Sequence, residues 1–291
     1  MIQQPFSYYG GKQRIASKII PYIPKHTVYA EPFCGGATIL FKKPWPTLSA
    51  KSFYREYIND ANELVINFFR QLRDNGKELC KMLSIMPLSE KEHELAKHPE
   101  NEPDDLMRAY YFFTNIQQSF SNKLNGGWGR AVIGSCSQIK WMRKTENLGQ
   151  FVDRMQSVGL ACQDALKFIK QFDSPQTFFY CDPPYPGTDQ GHYAGYKEED
   201  LANLANTLNS CMGSAIVSCY PHDHLFEGWE KVEISAFSSA TSNGRVGIDR
   251  SKKMVLSNKY RTEVIYIKKA SVQPRKEIID LYQSGGFDCF I

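Results

Sequence analysis

Residues 27–37 read Thr27-Val28-Tyr29-Ala30-Glu31-Pro32-Phe33-Cys34-Gly35-Gly36-Ala37. A β-rich run ends on a carboxylate, two glycines permit a tight turn, and Ala37 to Lys43 has the pattern of a helix that Pro44 and Pro46 close. The unit repeats at once. Tyr54 to Ile58 reads as a second strand ending at Asn59-Asp60, and a helix is predicted from Asn62 to about Asn75 with Leu64, Val65, Phe68, Phe69 and Leu72 on one face. Further along, Thr177 to Cys181, Ser214 to Cys219, Lys231 to Ser235 and Glu263 to Ile267 read as strands, and Glu198 to Met212 as an amphipathic helix. Strands alternating with helices predict an α/β fold whose largely parallel sheet is covered on both faces.

The chain of 291 residues is 42% hydrophobic, 23% charged and 13% aromatic, which excludes disordered, collagen-like and coiled-coil classes. Its net charge of +4 is too mild to identify a partner. No apolar run approaches the roughly 18 residues of a membrane span, and the first residues lack a signal-peptide pattern, so a cytoplasmic protein without membrane contact is expected. The cysteines contain no Cys-x-x-Cys spacing and read as reduced, mostly buried thiols. His222-Asp223-His224 has no matching Cys/His pair elsewhere, so a structural role is expected and no metal.

Two constellations sit at the carboxyl ends of strands, where open α/β sheets bind ligands. At Glu31 to Ala37, glycines admit a ligand close to the backbone and the following helix offers free N–H groups, while Asp60, 25 residues after Gly35, could hold a ribose. This turn alone fits a plain structural role equally well. The second constellation, Asp182-Pro183-Pro184-Tyr185 after an aromatic strand, is more specific. Its prolines fix the backbone and remove two donors, leaving a carboxylate, carbonyl acceptors and an aromatic ring in rigid register. An exocyclic amine needs that set: acceptors for both of its protons and a ring beside its base.

The sequence from Phe6 to about Lys269 resembles the Dam-like family of DNA adenine-N6 methyltransferases. Tyr8-Tyr9-Gly10-Gly11-Lys12 resembles the family's N-terminal motif, Glu31 to Gly36 its S-adenosylmethionine motif, and Asn59-Asp60-Ala61-Asn62 its ribose-binding segment. Asp164 matches the acidic position that meets the cofactor's adenine, and Asp182 to Tyr185 the catalytic loop. The resemblance implies a Rossmann-like methyltransferase sheet and S-adenosylmethionine as cofactor. It implies Asp182, Pro183, Pro184 and Tyr185 as catalytic residues. Tyr8, Gly11, Lys12, Glu31, Phe33, Gly35, Asp60, Asp164 and Asp182 would bind the cofactor. Direct methyl transfer would then act on an adenine flipped out of double-stranded DNA, with Tyr185 stacking on it. Two positions depart from the pattern, Ala37 where a glycine is common and Tyr8 where tryptophan is common.

Between the motifs, residues 76–147 change character. Gly76 to Asp105 carries eight acidic and four basic residues, Leu106 to Glu146 six basic and one acidic. This stretch is predicted to be an inserted, mostly helical target-recognition subdomain, flanked by catalytic segments at 1–75 and 148–270 and followed by a tail at 271–291. Its turn-rich loop 122–130 supplies Lys123, Asn125 and Arg130 as candidate DNA contacts, and a second basic stretch supplies Arg245 and Arg250. An RNA or cytosine-N4 amino-methyltransferase, and a catalytically silent DNA-binding relative, are the alternatives. Asp ahead of Pro-Pro-Tyr and the size of the insert favour adenine in duplex DNA.

Overall fold

Short apolar runs and amphipathic segments settle into a single seven-stranded sheet with helices on both faces. The computed structural model describes residues 4–8, 10–46, 54–129, 137–187, 195–235, 262–271 and 287–288. The strands are β1 (Val28–Glu31), β2 (Arg55–Asn59), β3 (Val158–Ala161), β4 (Thr177–Cys181), β5 (Ser214–Cys219), β6 (Glu230–Ser235) and β7 (Thr262–Lys268), ordered β3-β2-β1-β4-β5-β7-β6. The first five are parallel to one another. β7 runs antiparallel to both β5 and β6. The order reverses between β1 and β4, which makes the carboxyl ends of those strands the switch-point crevice of a doubly wound, Rossmann-like sheet. Both constellations read from the sequence flank it.

Ten α-helices occur among the described residues: α1 (Ala16–Ile19), α2 (Thr38–Lys42), α3 (Glu63–Asp74), α4 (Gly76–Ile85), α5 (Glu90–Leu95), α6 (Asp105–Gln118), α7 (Ser137–Glu146), α8 (Gln150–Met155), α9 (Ala165–Phe172) and α10 (Glu198–Ser210). Side-chain caps fix several starts. Asn62 accepts from Leu64 N to begin α3, and Asp104 from Met107 N to begin α6. Alternation in the central strands sorts the core. Phe178, Tyr180 and Ile216 point to one face, whereas Phe179, Cys181, Ala215 and Val217 pack on the other with α9 and α10.

The helices between residues 76 and 147 share one core with the segments that flank them. Phe112 and Phe113 of α6 are fully buried against Phe6 and Phe68, with Phe113 stacked on Phe68 at 5.6 Å. Trp141 of α7 packs on Phe113 and donates from Nε1 to the Met86 carbonyl at 2.8 Å. Phe112, Phe113 and Trp141, three of the seven aromatic residues in the basic half of the insert, are therefore core. A buried ion cluster lies beside the sheet: Glu56 of β2 takes Lys43 at 2.5 Å and Arg154 Nη2 at 2.6 Å. The two cations together outweigh the largest influence, burial, and hold the Glu56 pKa down.

Candidate active site

β1 delivers Glu31 to the crevice, and the chain then turns through Gly35 (φ 46°) and Ala37 (φ 50°), both left-handed. Gly35 tolerates that conformation and leaves room for a ring: a Cβ there would stand 3.0 Å from Tyr8 Cδ1. Asp60, at the end of β2, fixes the turn from behind. Its Oδ2 accepts from Gly35 N and its Oδ1 from Asn62 N, each at 2.9 Å. Tyr8 is tied to the same unit, its hydroxyl accepting from Asn62 Nδ2 at 3.2 Å.

Tyr8, Gly11, Lys12, Glu31, Phe33, Gly35, Asp182 and Pro184 line one cleft, together with Cys34, Gly36, Thr38 and Tyr180. Glu31 is 1% exposed; its Oε1 accepts from Tyr29 Oη at 2.5 Å and from Leu40 N at 2.8 Å. Burial dominates those bonds and raises its pKa to about 7. Asp164 is not in the cleft lining. It lies exposed after β3 and starts α9 by accepting from Lys167 N at 2.9 Å. Asp60 likewise stands behind the lining.

At the other end of the cleft the Asp-Pro-Pro-Tyr loop follows β4. Lys12, 7% exposed, places its ammonium 2.7 Å from Asp182 Oδ1 and 3.1 Å from Glu263 Oε1. Ser218 Oγ donates toward the same two oxygens at 3.2 and 3.3 Å. Tyr185 turns its hydroxyl into this group, 3.3 Å from Asp182 Oδ1 and hydrogen-bonded to Glu263. Its ring stands edge-on to Tyr220 with Lys12 Nζ 4.9 Å from its centroid. Burial is the largest influence on Asp182 and raises its pKa; Lys12 opposes this and Glu263 reinforces it. For Lys12 the two carboxylates overcome burial and raise the pKa. Pro183 is buried beneath the loop.

Sequence reasoning missed Ser218 and Glu263. Ser218 sits inside a run that reads simply as buried strand. Glu263 is the second residue of β7, and only because β7 is antiparallel does the start of that strand lie at the carboxyl edge of β5, where Val264 pairs with Cys219.

The candidate DNA loop is a closed hairpin end. Ser119 and Trp128 form a β-bridge, Phe120 N donates to Gly127 O at 2.7 Å, and Gly129 N to Gln118 O at 2.7 Å. Phe120 is 69% exposed. Asn125 takes a left-handed conformation (φ 55°), donates its backbone N–H to Asn115 Oδ1 at 2.7 Å, and accepts from His98 N through its side-chain Oδ1 at 3.1 Å, so it shapes the loop. Lys123 accepts through its carbonyl from Gly126 N, closing the turn. Arg130, Arg245 and Arg250 lie outside the described residues, as does the tail beyond 271 except for Phe287–Asp288, which pair with Trp45–Pro46.

His222 and Asp223 are engaged elsewhere, His222 with the Tyr220 carbonyl and Glu198, Asp223 with Lys231 and Tyr266. Among the described residues no three His, Cys, Asp or Glu side chains converge as metal ligands. No helix among them is long and apolar enough to cross a membrane.

Modification methylase StsI of Streptococcus sanguinis is 25% identical over 72% of this chain, an alignment spanning 34% of that protein, so the chain matches about a third of its length. Type II methyltransferase M1.LlaDCHI of Lactococcus lactis subsp. cremoris is 24% identical over 68% of this chain and 72% of its own. The Retron Ec67 DNA adenine methylase of Escherichia coli is 21% identical over 68% of this chain and 70% of its own. A family model, that of the D12 class N6 adenine-specific DNA methyltransferases, matches residues 8–229 and so takes in the glycine turn, the insert and the Asp-Pro-Pro-Tyr loop. This chain belongs to the D12 class N6 adenine-specific DNA methyltransferase family.

Proposed function

We propose that the protein transfers a methyl group from S-adenosylmethionine to N6 of an adenine flipped from double-stranded DNA. The observation that carries this is the anchoring of Asp182. Among the described residues every side-chain contact to its carboxylate converges on Oδ1, which leaves Oδ2 for an amine. The cleft fits the cofactor's chemistry: a glycine turn without a Cβ at its closest approach, aromatic walls from Tyr8 and Phe33, and carboxylates at Glu31 and Asp182 for a cationic ligand.

S-adenosylmethionine, when bound, supplies an electrophilic methyl on a cationic sulfur. Adenine's N6 is a poor nucleophile because its lone pair is delocalised into the ring. Asp182 Oδ2 and the Pro183 carbonyl would accept its two N–H protons, favouring the pyramidal nitrogen on which positive charge develops over the flat ground state. Pro183 and Pro184 hold both acceptors in register, so alignment costs little at the moment of reaction. Glu31 and Tyr8 orient the cofactor end of the cleft, and Asp60 holds the turn that faces its ribose. Lys123 and the exposed Phe120 at the hairpin end would face the duplex.

Asp182→Ala tests the assignment. The variant is expected to fold and bind cofactor but to lose single-turnover methylation of duplex DNA, by about 100-fold or more. Methylation near the rate of the unaltered protein would refute the mechanism.

A further inference from the structure

We infer that Glu263 is a positioning residue for methyl transfer, the second carboxylate that shares Lys12 with Asp182 and so leaves the charge of the acceptor only partly neutralised by that ammonium. The inference rests on the catalytic reading of Asp182 given above. Glu263 is not among the residues that line the cleft. It acts through its partners. Lys12, Ser218 and Tyr185 each bridge from Glu263 Oε1 to Asp182 Oδ1. One ammonium divided between two carboxylates leaves the trio with a formal charge of −1. Were Glu263 neutral, Lys12 and Asp182 would cancel, and the carboxylate facing N6 would lose much of its attraction for the charge developing there. The bridges also restrain Asp182 by Oδ1 alone.

The position of Glu263 supports a role other than filling space. It is the first inward residue of an otherwise apolar strand, Val264 to Ile267, and an ionised group at such a site is costly unless paired. Lys12 is its pairing partner, yet Lys12 lies closer to Asp182. An ion pair built for stability alone would need one carboxylate.

The test is Glu263→Gln, which preserves shape and hydrogen bonding while removing charge. Single-turnover methylation is expected to slow by about 10- to 100-fold, the scale for groups that orient an acting residue, with little change in KM for cofactor or DNA. The pH profile supplies a readout that a structural role would not move. Asp182 is faced by Lys12 from the N-terminal loop, Glu31 from β1, Tyr180 and Cys181 from β4, Tyr185 from its own loop, Cys219 from β5 and Glu263 from β7. Glu263's charge favours protonation of Asp182, so its removal must shift the acid limb of the rate profile to lower pH. Glu263→Asp retains the charge and should recover part of the rate with the limb in its original place. This variant also serves if the glutamine form does not fold. A Glu263→Gln rate within about twofold of the unaltered protein, or a slower rate with an unmoved limb, overturns the inference. So does a Glu263→Asp variant that shifts the limb or recovers none of the rate. Asp182→Ala run in parallel separates the two failures: if it stays active, the catalytic reading itself falls; if it is inactive while Glu263→Gln is unaffected, only the role of Glu263 falls.

Discussion

Asp60→Ala should destabilise the protein in the absence of any cofactor. The carboxylate is 2% exposed and accepts two backbone N–H groups at 2.9 Å, one from Gly35 in the glycine turn and one from Asn62 at the start of α3. Alanine removes both acceptors at a place water cannot readily reach. Each orphaned donor costs about 1–3 kcal/mol, so the pair amounts to roughly 2–4 kcal/mol after local relaxation. Because the same bond holds Gly35 in its left-handed conformation, affinity for S-adenosylmethionine should fall as well, by about ten- to a hundredfold. Asp60→Asn should rescue little, since its amide group turns a donor toward one of the two N–H groups. Urea denaturation without cofactor, paired with calorimetric titration of S-adenosylmethionine, separates the two effects. Loss of affinity with stability unchanged to within about 0.5 kcal/mol would show that Asp60 holds only the ligand and that the turn-building argument is wrong.

Glu56→Ala leaves Lys43 and Arg154 buried without their counter-ion and should cost about 3–5 kcal/mol by denaturant midpoint, with Glu56→Gln intermediate; a loss under about 1 kcal/mol would mean the cluster is hydrated. Glu31 binds a proton more readily in the folded chain, with its pKa at about 7, than in the unfolded one, at 4.5. Its contribution to stability therefore falls as pH rises from about 4.5 to about 7 and is level above that, and Glu31→Gln should flatten this slope in urea midpoints taken across the window. An unchanged slope would assign the pH dependence to other groups. Lys123→Ala should weaken duplex binding uniformly across sequences and reduce the salt slope of log K by about 1; a change confined to one target sequence would instead make Lys123 a base-reading residue.

The crevice was legible because its chemistry is local. Glu31, the glycine turn, Asp60 and the Asp-Pro-Pro-Tyr loop each occupy a strand's carboxyl end, and strands buried on both faces declare themselves as short apolar runs with turn residues behind them. Two elements escaped that reading. β3, Val158 to Ala161, is short and interrupted by Gly159, which is there because the ring of Tyr57 occupies the space a Cβ would need. The helix that follows is announced only by Asp164, whose carboxylate caps it by accepting from Lys167 N. Between residues 76 and 147 the described helices are Gly76–Ile85, Glu90–Leu95, Asp105–Gln118 and Ser137–Glu146. Only packing decided that Phe112, Phe113 and Trp141 enter the catalytic core instead of lining an exposed basic face, since burial depends on what lies opposite. Strand direction was the other tertiary decision. The pattern of residues 263–267 is the same whichever way the strand runs, and only its antiparallel place between β5 and β6 brings Glu263 to Lys12 and Asp182.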